Sequence, residues 1–445
     1  MNKSTMLKLT IVLGLVAGTF LMVMPAQAKV AVGTANGWEF STDGFINAFA
    51  VMEDADDSID GGVAGTGHNG FDLMNGASNE KSFRVRTGLL PGLIAFNIKA
   101  PTTNGIDVAA RVGFYPQIQD PDASRLNNQN TLVDDIVEDD SPSDTNIDFG
   151  SHIDLREAFL TADGAFGQIL AGRALHLYQG KNILNDMTLF GAGVQGGSSG
   201  NTTFGYIGFG YVYTQFGAQF RYTTPDMAGV KLAIGILDPA KITADLGTSV
   251  QYDIIESPGY EAEISYAGSV GGGVNLQAWI NGMSQSAERQ DTATSTKEVT
   301  CSGIAAGVGV DVAGLHVLAS GFSGSGNGSA IMMALDAVDN NDEERDETGL
   351  LGQVTYTILG ATKIGIQYGT TDIDETNADK LARTTGAAAD REAQVDKRTA
   401  YTLGVYHDIT PNWKVMAEYT KAKVEWFDGA DRESSTIALG TFFLW

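Results

Sequence analysis

The chain has 445 residues, with 28 Lys and Arg against 54 Asp and Glu, for a formal net charge of −26 at pH 7. So acidic a chain is a poor partner for nucleic acid, whose binding rests on neutralising phosphates. One cysteine, Cys301, excludes an internal disulfide framework, and with only five histidines a Cys/His metal site is not expected; the sequence implies no cofactor.

Residues 1–28 read as a secretory signal. Lys3 and Lys8 form the basic region, Leu9–Met24 the apolar core, and Ala26-Gln-Ala28 a small-x-small cleavage site. That core is short for a retained anchor, and no later apolar run approaches the roughly 20 residues of a spanning helix. Residues 29–445 are expected to form one all-β domain. A mean hydropathy of −0.05 is compatible with a membrane barrel, in which only alternate residues meet lipid.

In chain order, Trp38–Val51 alternates as a strand and Glu53–Asn79 is an acidic loop. Ser82–Ala100 is extended, but Phe83 and Val85 have one parity and Ile94, Phe96 and Ile98 the other. A one-residue bulge near Leu90-Pro91-Gly92 would restore the faces; two short strands joined by a turn is the competing reading. Ile106–Tyr115 pairs back through Thr102–Gly105, and Gln117–Gly150 is a long acidic loop. His152–Ala162 and Gln168–Arg173 flank the tight turn Asp163–Gly167. Ala174–Thr203 then follows, Gly-rich, weakly charged and aperiodic. Loops that long are functional or disordered, and this one is too apolar for plain disorder. It is expected to fold into a barrel mouth and narrow a pore.

Tyr211–Thr224 turns through Pro225–Gly229 into Val230–Ile236, and Pro239–Ser257 is loop. Four further strand pairs follow, Tyr260–Ala267 with Val274–Met283, Gly303–Val310 with Leu315–Phe322, Leu350–Ile358 with Thr362–Tyr368, and Thr399–His407 with Trp413–Glu425. Ser284–Thr300, Ser323–Glu347 and Thr371–Lys397 read as the loops between them, and Phe427–Glu433 leads to a last strand, Ser434–Trp445. The total is about sixteen strands, with short turns alternating with long polar loops. This is the pattern of an even-numbered antiparallel membrane barrel with short periplasmic turns and long external loops. Closure is required in lipid because open edges leave backbone groups unpaired. In the last strand Ile437, Leu439, Thr441, Phe443 and Trp445 share a face, which resembles the assembly signal of Gram-negative outer-membrane barrels. The assembly machinery, outer-membrane lipid and lipopolysaccharide are therefore the expected partners.

The run Arg156-Glu-Ala-Phe-Leu-Thr-Ala162, with Phe166-Gly-Gln-Ile-Leu-Ala-Gly-Arg173 after it, resembles the general porins of Gram-negative bacteria, which are trimeric and sixteen-stranded. Tyr222-Thr-Thr-Pro225-Asp-Met-Ala-Gly229 is similar to that family's segment after the constriction loop; Phe83–Gly88 and the C-terminus add to the likeness. The resemblance covers the mature chain in organisation and implies a homotrimer in the outer membrane, with a third external loop folded into the lumen. Asn185–Gly193 resembles the acidic tip of that loop. Asp186 matches its first carboxylate, and the second acidic position is missing.

Arg84 and Arg86 are two apart and point to one side of their strand, opposite Phe83 and Val85. By the same parity Arg111 opposes Val112 and Phe114, and Arg156 opposes Leu155 and Phe159. Arginine on the lipid side at mid-membrane costs about 2–4 kcal/mol, so these four belong in the lumen. They are expected to form a basic wall facing Asp186, with Arg173 at the loop base. Alternatively they only solvate the lumen or pair with loop carboxylates. The acidic loops Glu53–Asp60 and Asp134–Asp148 read as solvated external surface. No histidine is followed two residues later by serine, as a barrel phospholipase would need. The expected function is passive diffusion of ions and small hydrophilic solutes, and the alternative is a channel specific for sugars, phosphate or organic acids.

Overall fold

A computed structural model describes residues 29–56, 59–68, 81–119, 153–196, 202–243, 251–292, 295–334, 336–387 and 391–445. The expected leader 1–28 and the acidic run Asp134–Asp148 lie outside the described residues.

The strands are β1 (Val30–Ala35), β2 (Trp38–Ala55), β3 (Lys81–Arg86), β4 (Leu93–Lys99), β5 (Asp107–Pro116), β6 (Ile153–Gly164), β7 (Gly167–Leu175), β8 (Phe216–Thr223) and β9 (Val230–Leu237). They continue as β10 (Gly259–Gly271), β11 (Val274–Thr292), β12 (Ser295–Val312), β13 (Leu315–Ser325), β14 (Asp346–Ile358), β15 (Thr362–Ile373), β16 (Val395–Thr410), β17 (Trp413–Trp426) and β18 (Ala430–Leu444). Neighbours pair antiparallel in order, and β18 returns to β2, from Phe45↔Leu444 to Ala55↔Ser434. Gly44 and Trp445 exchange both backbone hydrogen bonds at 3.0 Å, which finishes the seam. The result is a closed antiparallel barrel of sixteen strands, running from β2 to β18 with β3 and β4 counting as two parts of one and β1 lying outside the circuit.

The two-residue period decides which face meets lipid. In β15 Ile364, Ile366 and Tyr368 are 41–49% exposed while Gln367 between them is 0% exposed. Phe83 and Val85 lie outward at 61% and 56%, and Arg84 and Arg86 inward at 8% and 0%. Short turns gather at one end. In one of them Asn104 and Gly105 both adopt positive φ, 55° and 74°, the conformation of a twist-matched two-residue hairpin. By loop length this end is periplasmic. No helix among the described residues is long and apolar enough to cross a membrane.

Four features differ from expectation. The phase change between β3 and β4 is larger than a one-residue bulge, because Thr87–Gly92 stands opposite only Ile46–Ala48 of β2. These six residues are buried, and they bend inward rather than forming a separate hairpin. The expected loop Ser284–Thr300 is mostly strand: β11 and β12 stay paired out to Thr292↔Ser295. Beyond the membrane both faces of a hairpin can be polar, so its alternation no longer marks it as strand. The N-terminal β1 forms an unexpected exposed hairpin with β2. Finally β8 begins at Phe216, and Tyr211–Gln215 belongs to the segment that precedes it.

Candidate functional site

Between β7 and β8 the chain enters the barrel and is held there by polar groups on the inner wall. The amide of Leu177 donates to Glu261 of β10 at 2.6 Å. Trp279 and Gln277 of β11 donate to Asn182 and Asn185, at 3.0 and 2.8 Å. Gln353 of β14 and Gln367 of β15 both accept the Met187 amide, at 2.8 and 2.7 Å. Glu418 of β17 accepts the amides of Ala192 and Gly193, and Gln195 donates to Glu53 of β2 at 3.0 Å. Buried inside a barrel, backbone amides need such partners, because an unmet one costs about 1–3 kcal/mol. The anchors explain why this stretch can include only one turn of helix, α1 (Gly180–Leu184), and one of 3₁₀ helix, Met187–Phe190.

The inward segment is longer than the expected 174–203. Its return remains within the lumen, where the Tyr206 hydroxyl donates to the Gln367 backbone carbonyl and is hydrogen-bonded to the Thr402 hydroxyl, and the Gly210 amide donates to Thr371. The wall comes to meet it. The Leu89 amide donates to the Gly191 carbonyl at 2.9 Å, and Gly88 accepts the Thr203 amide at 3.2 Å. A Cβ on Gly88 would lie 2.1 Å from the Gly191 carbonyl oxygen, so only glycine allows this approach. The described residues of Gly326–Arg345, within the expected external loop Ser323–Glu347, also fold inward; the Tyr213 amide donates to Ala330 at 2.8 Å. Buried Asp336 and Arg398 pair at 3.1 Å, and Arg345 holds Asp379 of α2 (Asn377–Thr384) through two hydrogen bonds of 2.7 and 2.8 Å. Nothing in the local sequence distinguishes this loop from the solvated ones.

The arginines do not share one open wall. Arg84 and Arg86 face inward but are buried. Arg111 is gripped by Glu157 at 2.7 Å and Asp43 at 2.8 Å, with the Asn97 side-chain oxygen Oδ1 at 3.0 Å. Arg156 pairs with Asp154 at 2.9 Å, and its guanidinium carbon lies 5.3 Å from the Tyr115 ring centre and 5.8 Å from that of Phe216. The register of β5 and β6 slips where Gly113 faces Glu157 and Phe114 faces Leu155, which leaves Arg156 as the extra residue. This bulge turns Phe159 inward, in register with Arg111, rather than toward lipid as simple parity implied. Arg173 is exposed, two residues before β7 ends, and lies in register with Ala158 and Ala218.

Asp186 is turned into the loop and is 4% exposed. One oxygen accepts the Thr188 amide and hydroxyl at 2.7 and 2.8 Å and the Gln367 side-chain amide at 2.8 Å. The other accepts the Tyr211 hydroxyl at 2.6 Å and the Tyr206 amide at 3.3 Å. These bonds cap the 3₁₀ turn and tie the outgoing and returning halves of the segment together.

With the segment laid against β10 to β17 and β2, open space remains beside β5 to β8. A cavity of about 660 Å³ is lined there by Tyr115, Gln117, Asp154, Arg156, Arg173 and Phe216 on the wall side. Across from them stand Leu89, Leu90, Ile183, Leu184, Leu189, Phe204 and Ile207. Thr202, Thr203, Tyr213 and Gln215 also line it, so its chemistry is a largely apolar surface with a few hydrogen-bonding groups, facing one guanidinium–carboxylate pair and a second arginine. Among the described residues no cluster of His, Cys, Asp and Glu could hold a metal ion.

Comparison with known proteins places this architecture. A family model described as Gram-negative porin matches residues 17–425. No curated protein matches. Among solved structures, the outer membrane channel DcaP of Acinetobacter baumannii is similar at TM-score 0.62 and 15% identity, covering 94% of this chain and 100% of that one. An anion-selective porin from Comamonas acidovorans is similar at TM-score 0.56 and 10% identity, with coverage of 92% and 100%. OmpT of Vibrio cholerae, in a trimer form, is similar at TM-score 0.50 and 12% identity, with coverage of 92% and 100%. At such identities the structures speak for the fold, whereas the family match spans most of the sequence. A sixteen-stranded barrel, a segment folded into its lumen and that match have one reading: the chain belongs to the Gram-negative porin family and is an outer-membrane porin.

Proposed function

We propose that this porin is a passive diffusion channel for ions and small solutes, that it works as a homotrimer, and that it performs no chemistry on what passes. The observation that carries the reading is the inward segment, held to the wall by Glu261, Gln353, Gln367 and Glu418. A segment anchored on so many strands narrows a passage without sealing it. In this reading residues 174–203 are the constriction. Arg156 and Arg173 are the charges a solute meets, Arg84 and Arg86 set the potential from behind the inward bend, and Arg111 and Asp186 hold structure around the passage.

The trimeric state is supported by the likeness to a porin known in trimer form. Residues 1–28 act as a leader removed before Lys29, and Phe443 and Trp445 present the last strand to the assembly machinery. Planar bilayers test the channel: purified protein should give large ohmic steps in groups of three. Normal insertion without steps would reject the channel, and steps that never group would reject the trimer. A channel specific for one solute class is the second reading, favoured by the apolar lining of the passage.

A further inference from the structure

A pore for hydrophilic solutes is expected to line its passage with charged or polar groups. Here Leu89, Leu184, Leu189 and Ile207 form one side of the cavity. On the other, Arg156 lies against the rings of Tyr115 and Phe216. Stacking on aromatic faces holds a guanidinium flat and pre-oriented, and its fork matches a carboxylate. Its present partner, Asp154, keeps 46% of its side chain exposed, so the pair opens onto the passage and can be exchanged. Binding sites for small molecules have this composition, mostly apolar with a few polar groups that fix orientation, at volumes of roughly 300–1,000 Å³.

We infer that the passage selects carboxylates that carry an apolar body, the body resting on the leucine side and the carboxylate on Arg156. This rests on the channel reading above and adds the solute class. Selection follows from a difference in desolvation. A polyhydroxylated acid must give up water at Leu184, Leu189 and Ile207 without replacement hydrogen bonds, and an aliphatic acid gives up nothing there. A neutral apolar solute lacks the head group that Arg156 orients.

The test uses the full-length porin in planar bilayers in KCl, with hexanoate and gluconate as probes. They share chain length and charge and differ in their hydroxyl groups. Hexanoate should interrupt the current in a saturable way, at a half-saturating concentration about tenfold below that of gluconate. Arg156→Gln should raise the hexanoate value about tenfold, and Leu189→Ser should raise it while leaving the gluconate value unchanged, both read in channels that still carry KCl current, whatever its size. Leu189→Ser stands alone as the test if Arg156→Gln does not assemble. Equal behaviour of the two acids, or hexanoate block indifferent to the substitutions, overturns the inference and leaves the channel reading intact. Absence of KCl steps in the unmodified protein removes both.

Discussion

Glu418 of β17 accepts the Gly193 amide at 2.9 Å, and the same oxygen takes the adjacent Ala192 amide at 2.8 Å. A single wall carboxylate thus pins the far end of the inward segment. Its other oxygen accepts the Tyr406 hydroxyl at 2.5 Å, so the anchor is itself held in place.

Removing that anchor should loosen the segment before it disturbs the barrel. For Glu418→Ala we expect flickering, higher single-channel conductance, with a loss of about 3 kcal/mol from two charge-assisted hydrogen bonds. Bilayer recording and urea unfolding measure the two effects. A quiet channel of unchanged conductance would show that the tip is held elsewhere.

Gly88 tests the contact from the opposite side. A methyl group there meets the Gly191 carbonyl oxygen, a backbone atom that no rotamer change can move. Gly88→Ala should therefore displace the segment and change conductance, while unfolding shifts by only about 1–3 kcal/mol, the usual cost of overpacking. Conductance identical to the parent protein would contradict the close approach.

Arg111 neutralises two inward carboxylates, Asp43 and Glu157. Arg111→Gln leaves both uncompensated. The expected results are destabilisation of about 3 kcal/mol and a reversal potential shifted toward cations in a KCl gradient. An unchanged potential would mean that these carboxylates contribute nothing to the field along the pore.

At the external end, Asp428 joins two loops. It accepts the Val63 and Ala430 amides at 3.1 Å each and lies 3.1 Å from His68 Nε2. Burial alone would raise its pKa, but the two amides and the imidazole outweigh burial and hold the carboxyl below its ordinary value. A depressed folded pKa contributes stability above the unfolded value, near 4, and loses it as pH falls through the folded value. Hydrogen exchange at the Val63 amide should therefore stay slow at pH 5 and quicken only well below pH 4. Asp428→Asn should abolish this acid step. Release already between pH 6 and 5 would assign the latch to another group.

Much of this porin is written in a two-residue period. Phe83 and Val85 against Arg84 and Arg86, or Ile364 and Ile366 against Gln367, can be sorted without coordinates, because a pleated strand in lipid allows only one arrangement of faces. The Asn104-Gly105 turn and the apolar C-terminal strand are equally local. That a segment folds into the barrel was recognisable from its length and apolar content, and its entry point from the Gly172-Arg173 strand end.

Other features became visible only when distant parts of the chain met. Parity could not show the extra residue at Arg156, which turns Phe159 inward, because the slip is defined against β5 and not within β6. Asp186 has the look of a pore carboxylate until Gln367, 181 residues away, is placed beside it. The inward fold of Gly326–Arg345 likewise depends on Tyr213 and Arg398, neither of them nearby in sequence. Which side of a strand faces lipid is decided by neighbours two residues apart, so the sequence alone determined the wall. The lining of the passage is decided by which buried polar groups find partners across a closed barrel, and only the tertiary structure supplies those partners.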